Sequence, residues 1–171
     1  MGEESRCLAD QPFFFCGSAT LRQRALRPQL KREPLGSAMI ECFAVQSSDD
    51  GARFELRRHN QGHLVAELHG RGLDASVLVS AYMFDGFADF FGGLATDWKG
   101  WKGAREWRAL EGELKLKADS DRTGHVHLSV ELRDGAPPRW QVNAALVLEA
   151  GQLDGLAARG REFEQSITSA A

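Results

Sequence analysis

From residue 40 onward, apolar and polar residues alternate in short runs. Period-two alternation is the mark of a strand with one buried face. Residues 40–47 and 52–58 read as strands around Ser48-Asp49-Asp50-Gly51, a turn-rich link that predicts a hairpin with Phe54 and Leu56 on one face. Within residues 63–70, Leu64, Ala66 and Leu68 alternate with Val65, Glu67 and His69. Within residues 73–81, Leu73, Ala75, Val77 and Val79 alternate with Asp74, Ser76, Leu78 and Ser80.

The period then changes. Phe87, Phe90, Phe91 and Leu94 follow i, i+3, i+4, i+7, the apolar stripe of a helix. Asp85 stands where an N-cap carboxylate would accept the first free amides. Gly92-Gly93 inside the helix costs about 1 kcal/mol per glycine relative to alanine, which predicts a close approach by a neighbouring segment. Three further strands are expected. Leu110, Leu114 and Leu116 face inward on the first, and Val126, Leu128, Val130 and Leu132 on the second. Trp140, Val142, Ala144, Leu146 and Leu148 face inward on the third, after a turn at 135–138. A closing helix over 152–166 has Leu153, Leu156, Gly160 and Phe163 as its stripe. The order ββββ-α-βββ-α with hairpin-length links predicts an α+β domain: one antiparallel sheet of about seven strands with two helices packed on it.

Charge divides the chain. Residues 1–38 carry Arg6, Arg22, Arg24, Arg27, Lys31 and Arg32 against Glu3, Glu4, Asp10 and Glu33, a net charge of +2; the whole chain is −3, so the remainder is −5. This segment lacks periodicity and is expected to be a poorly ordered or mis-called extension, with Met39 as the initiator and residues 39–171 as a single domain. Phe13-Phe14-Phe15 before Cys16 is too short for an export core. Cys7, Cys16 and Cys42 have no C-x-x-C spacing, so neither a disulfide framework nor a zinc site is implied. The expected location is the reducing cytoplasm. No apolar run is long enough to span a membrane, and the acidic domain disfavours nucleic acid.

One set of motifs lies between residues 85 and 154: Asp85-Gly86-Phe87, Asp97-Trp98-Lys99-Gly100-Trp101, Trp107, Leu110-Glu111-Gly112, Gly124-His125-Val126 and Leu148-Glu149-Ala150-Gly151-Gln152-Leu153-Asp154. Over about residues 40–160 the chain resembles a family of uncharacterised actinobacterial proteins, which implies no reaction and no catalytic residue. Its strand-helix-strand order and Trp–Leu-Glu-Gly entry also resemble immunity proteins of bacterial toxin systems.

Two surfaces have candidate chemistry. Trp98, Trp101 and Trp107 are interleaved with Lys99, Lys102, Arg105 and Arg108. Tryptophan and arginine dominate interface energetics, so Trp98, Lys99, Trp101, Lys102 and Arg105 are the candidate partner-binding residues. Trp98 capping the helix stripe and Trp107 packing at the strand entry would leave Trp101 as the free anchor. The second surface is the 119–127 hairpin. Asp119, Asp121, Thr123 and Gly124 match the first half of a calcium loop, but Val130 stands where its bidentate glutamate belongs. His125 and His127 share one strand face, where Asp119 or Asp121 would add a carboxylate for a metal. Tight-turn selection accounts for the same Asp and Gly residues. Glu111, Glu113, Lys115 and Lys117 beside His127, Glu131 and Arg133 predict a charged outer sheet face with cross-strand contacts. No nucleophile elbow, phosphate loop or zinc-protease motif occurs, and no cofactor is implied. The expectation is a non-enzymatic protein that binds a protein partner, with toxin neutralisation as its specific form. The alternative is a metal-dependent enzyme or small-molecule binder on the 119–127 hairpin.

Overall fold

Among the described residues the chain forms eight strands in two sheets. The computed structural model describes residues 42–60, 62–121, 123–135 and 137–169. The expectations for residues 1–38, Met39 and Ile40 lie outside the described residues, as do Cys7, Cys16 and Arg122.

The first sheet is a meander of β1 (Cys42–Gln46), β2 (Arg53–Asn60), β3 (His63–Gly70) and β4 (Leu73–Ser80), each antiparallel to the next. The first hairpin closes through Ser47 N–H to the Ala52 carbonyl at 2.8 Å, with Gly51 at φ 73°. That left-handed conformation favours glycine. Phe43, Val45, Phe54, Leu56, Leu64, Ala66 and Leu68 are buried on the inner face, as their alternation predicts.

Helix α1 (Phe87–Thr96) buries its whole predicted stripe, Phe87, Phe90, Phe91 and Leu94. Its cap differs from expectation. Gly86, at φ 76°, is the N-cap residue, and no side chain of its own turn caps the helix. The carboxylate comes instead from the closing helix α2 (Ala150–Thr168): Glu164 accepts the amides of Gly86 at 3.2 Å and Ala88 at 2.5 Å. An anion at a helix N-terminus satisfies free N–H groups and opposes the helix dipole. α2 opens with its own capping box, in which the Gln152 side chain accepts the Glu149 amide at 2.9 Å.

The second sheet contains four strands, not three: β5 (Arg105–Arg108), β6 (Leu114–Ser120), β7 (His125–Asp134) and β8 (Trp140–Glu149), in sequential antiparallel order. β5 has only Trp107 as a buried position, so it shows no alternation to read. Leu110, expected to face inward, lies in the turn between β5 and β6 and is 54% exposed. On β8, Leu146 and Leu148 are buried while Trp140, Val142 and Ala144 are half-buried.

The expected single sheet is therefore divided. Residues 81–104, which include α1 and the tryptophan loop, separate β4 from β5, and the two do not pair. Among the described residues, polar bonds join the sheets at two places. Ser48 N–H donates to the Val147 carbonyl at 2.9 Å, while the buried Ser47 hydroxyl accepts the Val147 amide at 3.0 Å. At the other side, the Glu113 carboxylate accepts the Ser80 amide at 2.7 Å. Phe43, Phe84, Phe87, Phe91, Phe163 and Trp107 form the aromatic centre of the core, with ring centroids 4.9–6.3 Å apart. Such pairs add about 0.5–1.5 kcal/mol each beyond the area they bury.

Candidate functional site

The tryptophan loop distributes its side chains differently from the sequence expectation. Trp107 packs in the core and donates its indole N–H to the Asp85 carbonyl at 2.9 Å. Trp101 is half-buried against the core, with its indole nitrogen enclosed and lacking an acceptor among the described residues. Arg105 stacks over Trp101, 4.7 Å from the ring centroid, and forms an ion pair with Asp97. Trp98 is the exposed ring of the loop, at 50%, with the Lys99 ammonium 5.5 Å from its centroid. Lys102 is exposed nearby in sequence and makes no ion pair among the described residues. Thus Trp101 and Arg105 brace the loop, while Trp98, Lys99 and Lys102 face solvent.

At the 119–127 hairpin, the turn's own groups occupy the candidate ligands. Asp121 accepts the Thr123 amide at 2.7 Å, the Thr123 hydroxyl at 2.6 Å and the His125 amide at 3.2 Å. These bonds stabilise the carboxylate and hold its pKa well below the ordinary range. His125 Nδ1 lies 3.0 Å from Asp121, and its Nε2 lies 3.5 Å from Glu149. Asp119 and His127 are direct cross-strand partners. Among the described residues, no group of three or more His, Cys, Asp or Glu side chains is disposed to hold a metal ion. The predicted charged face is present in part: Lys115 opposes Glu131 across the ladder, and its ammonium lies 3.1 Å from Glu106.

A third site was not foreseen. A cleft of about 620 Å³ opens between the edge strand β4 and the second sheet. That volume falls within the range of about 300–1,000 Å³ common to ligand-holding clefts. Val65, Val77, Leu78, Pro137, Pro138 and Trp140 supply its apolar lining. Glu111, Glu113, Arg133 and Asp134 supply its charges, and Ser76 lies along the strand edge. Glu113 uses one carboxylate oxygen on Ser80, and its other oxygen is buried without a donor among the described residues. Arg133 Nε lies 3.6 Å from Glu131, beyond ordinary hydrogen-bond length.

One exposed apolar residue, Leu78, lines this cleft. Among the described residues the large exposed apolar ones are Leu78, Tyr82, Met83, Trp98 and Leu110. All except Trp98 lie on 78–83 or 109–113, the two segments joined by the Glu113–Ser80 bond. Met83 has φ 51°, a left-handed conformation that is uncommon for a side-chain-bearing residue. Residues held so are enriched at ligand clamps and switch regions.

Residues 41–166 match the model of a family of unknown function, DUF6228. The protein belongs to the DUF6228 family. No curated protein matches the chain. The DUF6228 match contains every residue that lines the cleft, as well as the tryptophan loop and the 119–127 hairpin. The described helices of this DUF6228 member include none long and apolar enough to cross a membrane. The cleft has no single sequence motif, because its walls come from β4, the β5–β6 turn and the β7–β8 hairpin. The available signals were Leu78 on the polar face of its strand and Leu110 beside Glu111-Gly112.

Proposed function

We propose that this DUF6228 protein is a non-catalytic binding domain of the cytoplasm that engages a protein partner through the β4 cleft and its apolar rim. The observation that carries this reading is the exposure of Leu78, Tyr82, Met83 and Leu110 on two segments that the Glu113–Ser80 bond ties together, with Leu78 and Glu113 both lining the cleft. Large apolar side chains grouped beside a cleft, with charged groups around them, fit the anatomy of a protein interface. Toxin neutralisation is the specific form in which the bound domain would block its partner's active surface. The reading also leaves Trp98 and Lys99 as a second contact area, next to Asp97, which is paired to the start of β5; Leu110 follows the end of that strand.

The metal-dependent alternative has weaker support, because Asp121 and His125 already satisfy each other and the hairpin backbone. The test is quantitative capture from the native host with wild type, Leu78→Glu, Leu110→Glu and Trp98→Ala. Truncating or charging an interface hot spot costs about 2 kcal/mol or more, roughly thirtyfold in affinity. A specific protein should be lost from both leucine variants while their thermal unfolding stays like that of wild type. Equal recovery with all variants refutes the placement at the cleft. Loss with Trp98→Ala alone moves the site to the tryptophan loop.

A further inference from the structure

The cleft is bounded on one side by a strand edge, and the ladder parity shows which backbone groups face it. Ser80 directs its N–H away from β3, to Glu113. In an antiparallel ladder, alternate residues send their N–H and C=O to the same side. Leu78 and Ser76 therefore point theirs to the same free edge, and both residues line the cleft. Val77 and Val79 spend theirs on Ala66 and Leu64 of β3. Glu113 thus closes the edge at Ser80 and leaves the next two outward positions open.

Open edges invite strand pairing, and proteins commonly blunt them with charged side chains, Pro or a bulge. β4 reads Leu-Asp-Ala-Ser-Val-Leu-Val-Ser and holds no Lys, Arg or Pro. Its ladder with β3 runs through eight consecutive pairs without a register shift. The one charged side chain of β4, Asp74, lies at the start of the strand, and the Ser76–Leu78 stretch borders the cleft with no charge, proline or bulge of its own.

Charge narrows the occupant. Asp134 is met by Arg139 at 3.5 Å, and Arg133 leans toward Glu131. Glu111 makes no ion pair among the described residues, and one Glu113 oxygen lacks a donor. The lining holds Glu111, Glu113 and Asp134 against Arg133, so its formal charge is negative.

We propose that β4 takes an extended peptide segment of a protein partner as an added strand, its main chain bonded to Ser76 and Leu78 and a basic side chain set against Glu111 and Glu113. The inference rests on the reading of the cleft as the binding surface and specifies how that surface is used. Main-chain bonds supply affinity in strand addition, and alternate side chains supply selectivity. Apolar side chains of the segment meet Val65, Leu78 and Trp140.

The probe is acetyl-Val-Lys-Val-Lys-Val-amide, titrated into the labelled full chain, with the Glu-for-Lys peptide as its counterpart. Amide exchange at Ser76 and Leu78 should slow by about tenfold or more, while Val77 and Val79, already bonded to β3, stay unchanged. The acidic peptide should bind less tightly. Leu78→Pro removes an outward donor and no ladder bond, so binding should be lost; a thermal melt checks its fold. Glu111→Lys, on an exposed turn, should weaken the basic peptide by about fivefold without touching the strand. Shifts at Trp140 and Leu110 with Ser76 and Leu78 unprotected, and Leu78→Pro binding as well as wild type, overturn strand addition but leave the cleft reading standing. No shift at millimolar peptide also overturns strand addition. The Leu78→Glu and Leu110→Glu captures then decide the cleft reading by themselves.

Discussion

The two adjacent glycines of α1 allow one substitution to be made in two settings that differ by a single neighbour. Alanine in a helix interior is favoured over glycine by about 0.8–1.0 kcal/mol. A methyl group at Gly92 meets nothing within 4 Å, so Gly92→Ala should gain nearly all of that. A methyl group at Gly93 falls 2.9 Å from Nη1 of Arg105, closer than van der Waals contact allows. The guanidinium must shift, which loosens its contacts with the Asp97 carboxylate and the Trp101 ring and at most gives up both. The ion pair is partly exposed, with side chains 30% and 48% accessible, and is worth about 0.2–1 kcal/mol. The cation–π contact is worth about 0.5–1 kcal/mol. Gly93→Ala should therefore be less stable than Gly92→Ala, by about 1–2 kcal/mol where both contacts are given up. In a domain of this size that is roughly 3–10 °C in Tm. Urea unfolding followed by circular dichroism measures it. In an Arg105→Ala background the obstacle is gone, and both substitutions should stabilise equally. If Gly93→Ala stabilises the unaltered domain as much as Gly92→Ala does, Arg105 does not pack on α1 and the bracing of the tryptophan loop is wrong.

Two other features make equally direct predictions. Glu164→Ala removes the carboxylate that caps α1 from α2 and should cost about 1–2 kcal/mol in urea unfolding, with Glu164→Gln recovering part of it; an Ala variant as stable as wild type refutes the cap. Asp121 has a lowered carboxyl pKa in the folded turn, so its contribution is full above the ordinary value of about 3.9 and is lost as pH falls through the lowered value. Carbon-13 titration of the Asp121 carboxyl should give a midpoint below that ordinary value, and a midpoint at or above it refutes the turn's hydrogen bonding.

The same distinction between near and distant partners explains what the sequence made legible. Strands β2, β3, β4, β6 and β7 followed from period-two burial, because successive side chains of a strand fall alternately on the core side and the solvent side. The α1 stripe followed from Phe87, Phe90, Phe91 and Leu94 at the helical period. β5 was invisible because Arg105, Glu106 and Arg108 surround one buried residue, Trp107, and four residues hold no period. The α1 cap was misassigned to Asp85 because its true partner, Glu164, is separated from Gly86 by 78 positions. The relative exposure of Trp98 and Trp101 depended on where Arg105 lay, which no local pattern encodes. The cleft is the extreme case: its three walls are separated in the chain by α1 and by β6.

The division into two sheets and the open cleft have one physical cause. In a continuous sheet the Ser80 N–H would meet a strand carbonyl, and pairing would propagate along Leu78 and Ser76. Here a side-chain carboxylate takes that proton donor. Glu113 satisfies the amide but has no backbone repeat to offer, so the ladder stops after one bond. Its main chain is already committed to the second sheet, where the Glu113 carbonyl accepts the Arg133 amide at 2.9 Å. The residue thus holds the sheets together at one point while preventing their fusion. Ser80 is half-buried, so loss of this acceptor costs up to about 1–3 kcal/mol. The unpaired edge at Ser76 and Leu78 is a consequence of how the two halves are joined, and it persists for as long as that joint does.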